Sequence, residues 1–434
     1  MAPSTATPKR LIVLCDGTWQ NSLSGEAFSY PTNVTRFSRA LSQFGDRDGQ
    51  KVPQIIYYQP GVGTGNLTDK LTGVGVYGAG VSADVRAAYG FLAHNFNPGD
   101  QIYFFGYSRG AYTARAVAGL VTTLGLLTKK GMDRFGAVYQ EYYRKENKGS
   151  KPDIQKLEQL AGGELHEGAK DSVEIIGVWD TVGFHGAGFG GEEFEFYNTT
   201  LSPRVKHGLH ALSLDETREA FLPTLWDSRI DSSDSAAGGG NVKQVWFCGT
   251  HAIGGGDKDS TLADIALGWM VAECHKTETL SFVDIDGSAA SSYLLSGPAA
   301  VGGPGSKPHQ PLTPWPTVEY PEPAAASSTA WGVSNLVHSV PGTFWTVANW
   351  ILPAKSGVRT PNSQGFVPAQ TNERIHQSIR DRRLGEWPCR PIAERIGEST
   401  RWKLAPPAPE GAVLEETDPD AVELRFKGKI RPVA

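Results

Sequence analysis

Cysteine is scarce in this chain: four residues in 434, Cys15, Cys248, Cys274 and Cys389, with no C-x-x-C spacing. That excludes a disulfide framework and a zinc ribbon, and it suits a reducing compartment. No apolar run approaches the ~18 residues of a membrane span. The longest candidate, Thr343 to Leu352 (TFWTVANWIL), reads as a buried helix or lid, or as an apolar surface that meets a lipid or acyl chain. The opening residues MAPSTATPKR are polar and the LIVLC that follows is too short for a signal-peptide core, so a soluble cytoplasmic protein is expected. Strong charge bias is also missing. A net charge of -5 gives no general pull toward nucleic acid, which favours a small-molecule or neutral substrate. Internal repeats are lacking.

Short β-branched and aromatic runs alternate with helical patterns instead. Strands are expected at Arg10–Cys15, Pro53–Tyr58, Ile102–Phe105, Val173–Trp179 and Val242–Cys248. Helices are expected at 33–44 with Asn33 as N-cap, at 82–96 with Ser82 as N-cap, at 111–127 and at 260–274. This alternation implies an α/β fold with a mainly parallel sheet covered by helices on both faces. The pattern decays after about Val283. Three regions are expected: a catalytic core over 1–285, a Pro/Gly/Ala-rich insertion over 286–330, and a C-terminal cap or wrapping segment over 331–434.

The stretch QIYFFGYSRGAYTAR, residues 101–115, contains Gly106-Tyr107-Ser108-Arg109-Gly110, a G-x-S-x-G match. In a chain with 51 glycines the bare pattern is weak. A strand before it and a small-residue helix after it give it weight, because a sharp strand-to-helix turn is what exposes a nucleophilic serine. A serine needs a base, and the base needs an orienting carboxylate. Asp180 and His251 follow at the ends of the next two expected strands, in the order this chemistry takes on such folds. His376 and His185 are rival bases; His251 leads by its strand-end position and by the glycines at 254–256, which read as flexible. The oxyanion donors are expected from the Arg109 N–H and from the loop Asp16-Gly17-Thr18-Trp19, through Gly17 or Thr18. Asp16 is expected either to shape that loop or to pair with Arg109.

Gly73-Val74-Gly75-Val76-Tyr77-Gly78 matches G-x-G-x-x-G, but it lies about fifteen residues beyond its strand, so it reads as a loop rather than a dinucleotide site. Gly61 to Gly65 reads as a strand-end loop. Asp257, Asp259 and Asp264 surround a helix start, where carboxylates favour the dipole; no metal and no cofactor is expected.

LCDGTWQNS, YYQPGVGTG, FGYSRGAYTAR, VWDTVG, KHGLHALSLDETREAF and VWFCGTHAIGGGD occur in this order. Together they resemble a family of α/β-hydrolase proteins that includes the catalytic domain of type VI secretion phospholipase effectors. LADIALGWM and IHQSIRDR extend the likeness. The resemblance implies a triad of Ser108, Asp180 and His251 and the hydrolysis of carboxylic esters, including phospholipid esters. One departure stands out: the family's H-S-D-V-G-G-G becomes His251-Ala252-Ile253-Gly254-Gly255-Gly256 here. A serine hydrolase is the leading expectation, with peripheral membrane contact open. An inert hydrolase-fold scaffold, or an acyltransferase or amidase on the same triad, are the alternatives.

Overall fold

The structure, a computed structural model, describes residues 7–18, 20, 30–61, 76–144, 152–183, 201–216, 218, 221–226, 241–256, 261–283, 359, 373–376, 392–395, 401–404 and 413–415. Eight strands form one sheet: β1 Arg10–Cys15, β2 Phe44–Arg47, β3 Gln50–Gln59, β4 Gln101–Tyr107, β5 Val173–Trp179, β6 His207–Ser213, β7 Asn241–Phe247 and β8 Glu373–Ile375. Their order is β2-β3-β1-β4-β5-β6-β7-β8. Every pairing is parallel except that of β2 with β3.

Both faces of the central strands are buried, and successive side chains go to opposite layers. In β1, Leu11 and Val13 join one core layer while Ile12 and Leu14 join the other. β4 does the same, with Ile102 and Phe104 on one side and Tyr103 and Phe105 on the other. The first layer is closed by α2 (Val76–Asn95), α3 (Arg109–Leu124), α4 (Phe135–Tyr142) and α5 (Ile154–Ala161). The second is closed by α1 (Asn33–Ala40) and α6 (Thr261–Lys276). The fold is therefore α/β, a mainly parallel sheet with helices on both faces.

Several expected boundaries move. The helix predicted over 33–44 ends at Ala40, and Phe44 opens β2 instead. Asp48 and Gly49, with φ of 55° and 77°, form the tight Asp-Gly hairpin turn that joins β2 to β3; both central residues need positive φ there. Thr32, not Asn33, caps α1, its hydroxyl accepting from the Thr35 N–H at 3.1 Å. α2 begins at Val76, so Ser82 lies inside it and meets the Tyr139 hydroxyl at 3.1 Å instead of capping. Val76 to Gly78, read as the end of a glycine loop, are its first turn; burial of Val81, Val85, Ala88, Tyr89 and Leu92 outweighs the ~1 kcal/mol that a helical glycine costs.

β6 was not expected at all, and it inserts between β5 and β7. The C-terminal region contributes β8 to the main sheet, and a small antiparallel sheet of β9 (Ile392–Arg395), β10 (Arg401–Leu404) and β11 (Val413–Glu415). Residues 62–75, His185, Asp257, Asp259, the 286–330 insertion and the Trp345 and Trp350 aromatic stretch lie outside the described residues.

Register aligns the sheet's carboxyl edge. Cys15 pairs with both Gln59 and Gly106, Tyr107 with Trp179, Trp179 with Ala211 and Ser213 with Phe247. Asp16, Ser108 and Asp180 consequently leave the sheet at one rim, where open parallel sheets assemble ligand sites.

Candidate active site

Ser108 occupies the turn between β4 and α3 with φ 57° and ψ -123°, a conformation that costs ~1–3 kcal/mol for a non-glycine residue and recurs at functional sites. The flanking glycines are explained by space. A Cβ on Gly106 would sit 2.6 Å from the Gly110 carbonyl oxygen, and one on Gly110 would sit 2.3 Å from those of both Cys15 and Asp16. The G-x-S-x-G spacing thus lets α3 start directly against the ends of β1 and β4.

The Ser108 hydroxyl lies 2.8 Å from Nε2 of His251, and Nδ1 of the same ring lies 2.6 Å from Oδ2 of Asp180. All three residues are buried. With an ionised carboxylate as acceptor, Nδ1 carries the proton and Nε2 accepts from Ser108. Asp180 itself has a positive φ of 44°, a conformation that is uncommon for a non-glycine residue. The His251 ring is held between Tyr107, at 5.0 Å between ring centroids, and Phe221, edge-on at 4.7 Å. The Tyr107 hydroxyl donates to the His251 carbonyl at 3.0 Å.

The histidine loop is fixed from beneath by two carboxylates just beyond β6. Asp215 accepts from the Gly249 N–H at 2.6 Å and Glu216 from the His251 N–H at 3.1 Å. Glu216 also takes two N–H groups of the Arg218 guanidinium, each at 2.8 Å. Burial would raise the Glu216 carboxyl, but Arg218 outweighs it and brings it to about 2. The glycines at 254–256 are packed rather than flexible: a Cβ on Gly254 would meet the Tyr107 ring at 2.2 Å, and Gly255 bridges to Thr32. Ile253 is fully buried, and its carbonyl accepts from the Asn33 amide at 2.9 Å. No cluster of metal-binding side chains occurs among the described residues, and Asp264 pairs with Arg36.

Asp180 makes further contacts. Its Oδ1 accepts from the Ser213 N–H at 2.9 Å and from Nη1 of Arg359 at 2.6 Å, and its Oδ2 from the Ser213 hydroxyl at 3.0 Å. Burial alone would raise this carboxyl, yet the Arg359 charge and the His251 N–H hold it well below the usual carboxylate range. For His251 burial dominates and lowers the imidazole below its ordinary value, with Asp180 and Glu216 partly countering.

On the other flank, Asp16 bonds within and beside its own loop. Its carboxylate accepts from the Gly17 N–H at 2.7 Å and from the hydroxyls of Thr32, Thr35 and Tyr58 at 2.9, 3.1 and 2.6 Å. Burial pushes this carboxyl up despite the four donors. Gly17 lies against Tyr107 and Ser108, where a Cβ would come within 2.8 Å of the Tyr107 ring and 3.5 Å of the Ser108 Cβ. Because the Gly17 N–H is spent on Asp16, Thr18 is the residue of this loop whose N–H has no acceptor among the described residues. Arg109 opens α3 and directly follows Ser108.

The rival base, His376, follows β8; its ring stacks on Phe247 at 4.4 Å and its N–H donates to the Trp246 carbonyl. Its place next to Ser108 is taken by His251. Reasoning from sequence missed Ser213, Asp215, Glu216 and Arg359. The Asp-Glu pair in LSLDETREAF directly follows β6 and was legible once that strand was seen; Arg359 carries no local signal.

Residues 9–273 match the family described as T6SS phospholipase effector Tle1-like, catalytic domain. Over 239 residues the chain is 30% identical to the uncharacterized protein YEL023C of Saccharomyces cerevisiae, covering 50% of this chain but 32% of that protein; it thus spans about a third of that relative's length. Among solved structures, the Tle1 effector bound to the VgrG spike of the type VI secretion system is 17% identical, with a TM-score of 0.32, over 58% of this chain and 52% of that one. An uncharacterized protein from Pseudomonas aeruginosa is 18% identical, with a TM-score of 0.38, over 62% and 46%.

Proposed function

The chain belongs to the family of Tle1-like phospholipase effector catalytic domains, and we propose that it is a serine hydrolase that cleaves carboxylic esters of lipids through an acyl-enzyme. The observation that carries this is the unbroken relay from Ser108 through His251 to Asp180, with contacts of 2.8 and 2.6 Å. Ser108 Oγ attacks the ester carbonyl while His251 Nε2 takes its proton, and Asp180 stabilises the imidazolium that forms. The negative charge on the former carbonyl oxygen is met by the main-chain N–H groups of Arg109 and Thr18. Collapse of the tetrahedral intermediate breaks the C–O bond, and His251 returns the proton to the leaving alcohol. Water then repeats the sequence on the acyl-Ser108 ester and frees the fatty acid.

A fluorophosphonate probe tests the nucleophile. The native protein should label at one site that disappears in Ser108→Ala and in His251→Ala, and phosphatidylcholine vesicles should release fatty acid at a rate that falls in parallel. A native protein that neither labels nor releases fatty acid sinks the proposal and favours an inert scaffold.

A further inference from the structure

We infer that Arg359 is a positioning residue for the Asp180–His251 pair, so that the proposed hydrolase depends on the contact of its guanidinium with Asp180. The inference rests on the triad reading above and adds a dependence that the triad alone does not require.

Arg359 lies 179 residues after Asp180, yet its side chain is almost wholly buried against it. Its Nη1 donates to Asp180 Oδ1 at 2.6 Å, to the Ser213 carbonyl at 2.9 Å and to the Ser213 hydroxyl at 2.5 Å, while Nη2 donates to the Phe221 carbonyl. The carboxylate is divided between its partners: Arg359 takes Oδ1 and His251 takes Oδ2. Gripping the oxygen that the histidine does not use sets the plane of the carboxylate and hence the direction of the 2.6 Å bond to Nδ1. Through Phe221, whose ring walls His251, the same guanidinium also fixes the far side of the imidazole.

Stability alone is a poor reason for this arrangement. A buried ion pair is often no better than well-packed apolar side chains, and Arg359 Nε is buried with no partner among the described residues. What the guanidinium supplies is orientation and a compensating charge on Asp180. His251 is faced by Asp180, Glu216 and Arg218 as charged groups, with Tyr107, Phe221 and Ser108 completing its surroundings. Removing Arg359 leaves the Asp180 charge uncompensated, so the imidazolium becomes easier to form.

The test uses the full chain with Arg359→Gln, Arg359→Lys and Arg359→Gly. For Arg359→Gln, kcat should fall by ~10²-fold, the scale of a displaced catalytic group, with KM little changed, and the acid limb of the pH profile should move to higher pH. Arg359→Lys keeps a charge but not the fork, so it should lose rate with the limb unmoved. Added guanidinium should restore turnover to Arg359→Gly. Activity within twofold of native in Arg359→Gln overturns the inference. So does a fall in activity with an unmoved limb and no guanidinium rescue, which would make Arg359 a fold staple only. NMR titration of His251 in native protein and Arg359→Gln reads the same effect without turnover. An upward shift supports the inference even if fluorophosphonate labelling fails and the hydrolase reading falls with it; no shift overturns it.

Discussion

Replacing Gly110 by alanine should damage the candidate site without touching any of its reactive groups. A Cβ at that position would lie 2.3 Å from the carbonyl oxygens of both Cys15 and Asp16, about 1 Å short of ordinary contact. Both obstacles are main chain: Cys15 ends β1 within its pairing with β3 and β4, and Asp16 directly after it is tied by its N–H to the Gln59 carbonyl at 2.9 Å, so neither can swing aside. The first turn of α3 must therefore lift away, and Ser108 lies two residues before the substitution. Overpacking of this kind costs ~1–3 kcal/mol, which for a large domain lowers Tm by several degrees, on the order of 2–4 °C per kcal/mol. A shift of about 1 Å in the nucleophile costs ~10²-fold in rate. Gly136→Ala is the control: Gly136 lies in α4 with nothing within 4 Å of its Cβ, so alanine there should stabilise by ~0.5–1 kcal/mol. Thermal melts and fluorophosphonate labelling rates of the two variants provide the readout. Gly110→Ala melting and labelling like the native protein would refute the claim that close approach of the main chain dictates this glycine.

Burial lowers the His251 imidazole from its ordinary 6.5, so the acid limb of kcat/KM should fall below pH 6.5; a midpoint above that value would contradict the burial argument. His210, which accepts the Thr181 N–H and is brought to about 3 by burial, behaves likewise. Both side chains are protonated in the unfolded chain at pH values where they stay neutral in the native one. The stability these two histidines contribute is therefore present in full above pH 6.5 and declines below it. Asp84, raised by burial to about 7, acts in the opposite direction over the same range, so urea midpoints between about pH 7.5 and 5 should fall more steeply in Asp84→Asn than in the native protein. His376→Phe should keep the stack on Phe247 and label at the native rate, whereas His251→Ala should not label; equal loss in both would mean that the base has been misassigned.

Much of this fold was legible because parallel strands buried on both faces leave dense apolar runs. Arg10–Cys15 and Val173–Trp179 were read to the residue for that reason. β6 was not, since HGLHALS is interrupted by two histidines and a glycine. His210 is satisfied by tertiary contacts, with the Thr181 N–H and Gln244. The missed hairpin turn at Asp48-Gly49 was a short-range signal that lost to an apparent helical spacing ending at Phe44. In the candidate site, Ser108, Asp180 and His251 share the simple property of following a strand. Arg359 does not, and what gives it meaning is a carboxylate that lies far away in sequence.

The two buried aspartates flanking Ser108 carry the electrostatic logic of the site. Asp16 and Asp180 each accept four hydrogen bonds or more, so hydrogen bonding alone does not separate them. A cation does. Arg359 beside Asp180 keeps that carboxylate charged, while Asp16, with hydroxyl and N–H donors only, is pushed by burial toward its neutral form. In the proposed reaction the two flanks have opposite needs. The His251 side must stabilise a developing positive charge, and an ionised Asp180 does so. The oxyanion side must tolerate a developing negative charge, and a full carboxylate charge in the Gly17–Thr18 loop would oppose it. Environments that drive two carboxyls apart in this way are how one site separates its roles, and here Arg359 and the His251 N–H lower Asp180 while burial raises Asp16.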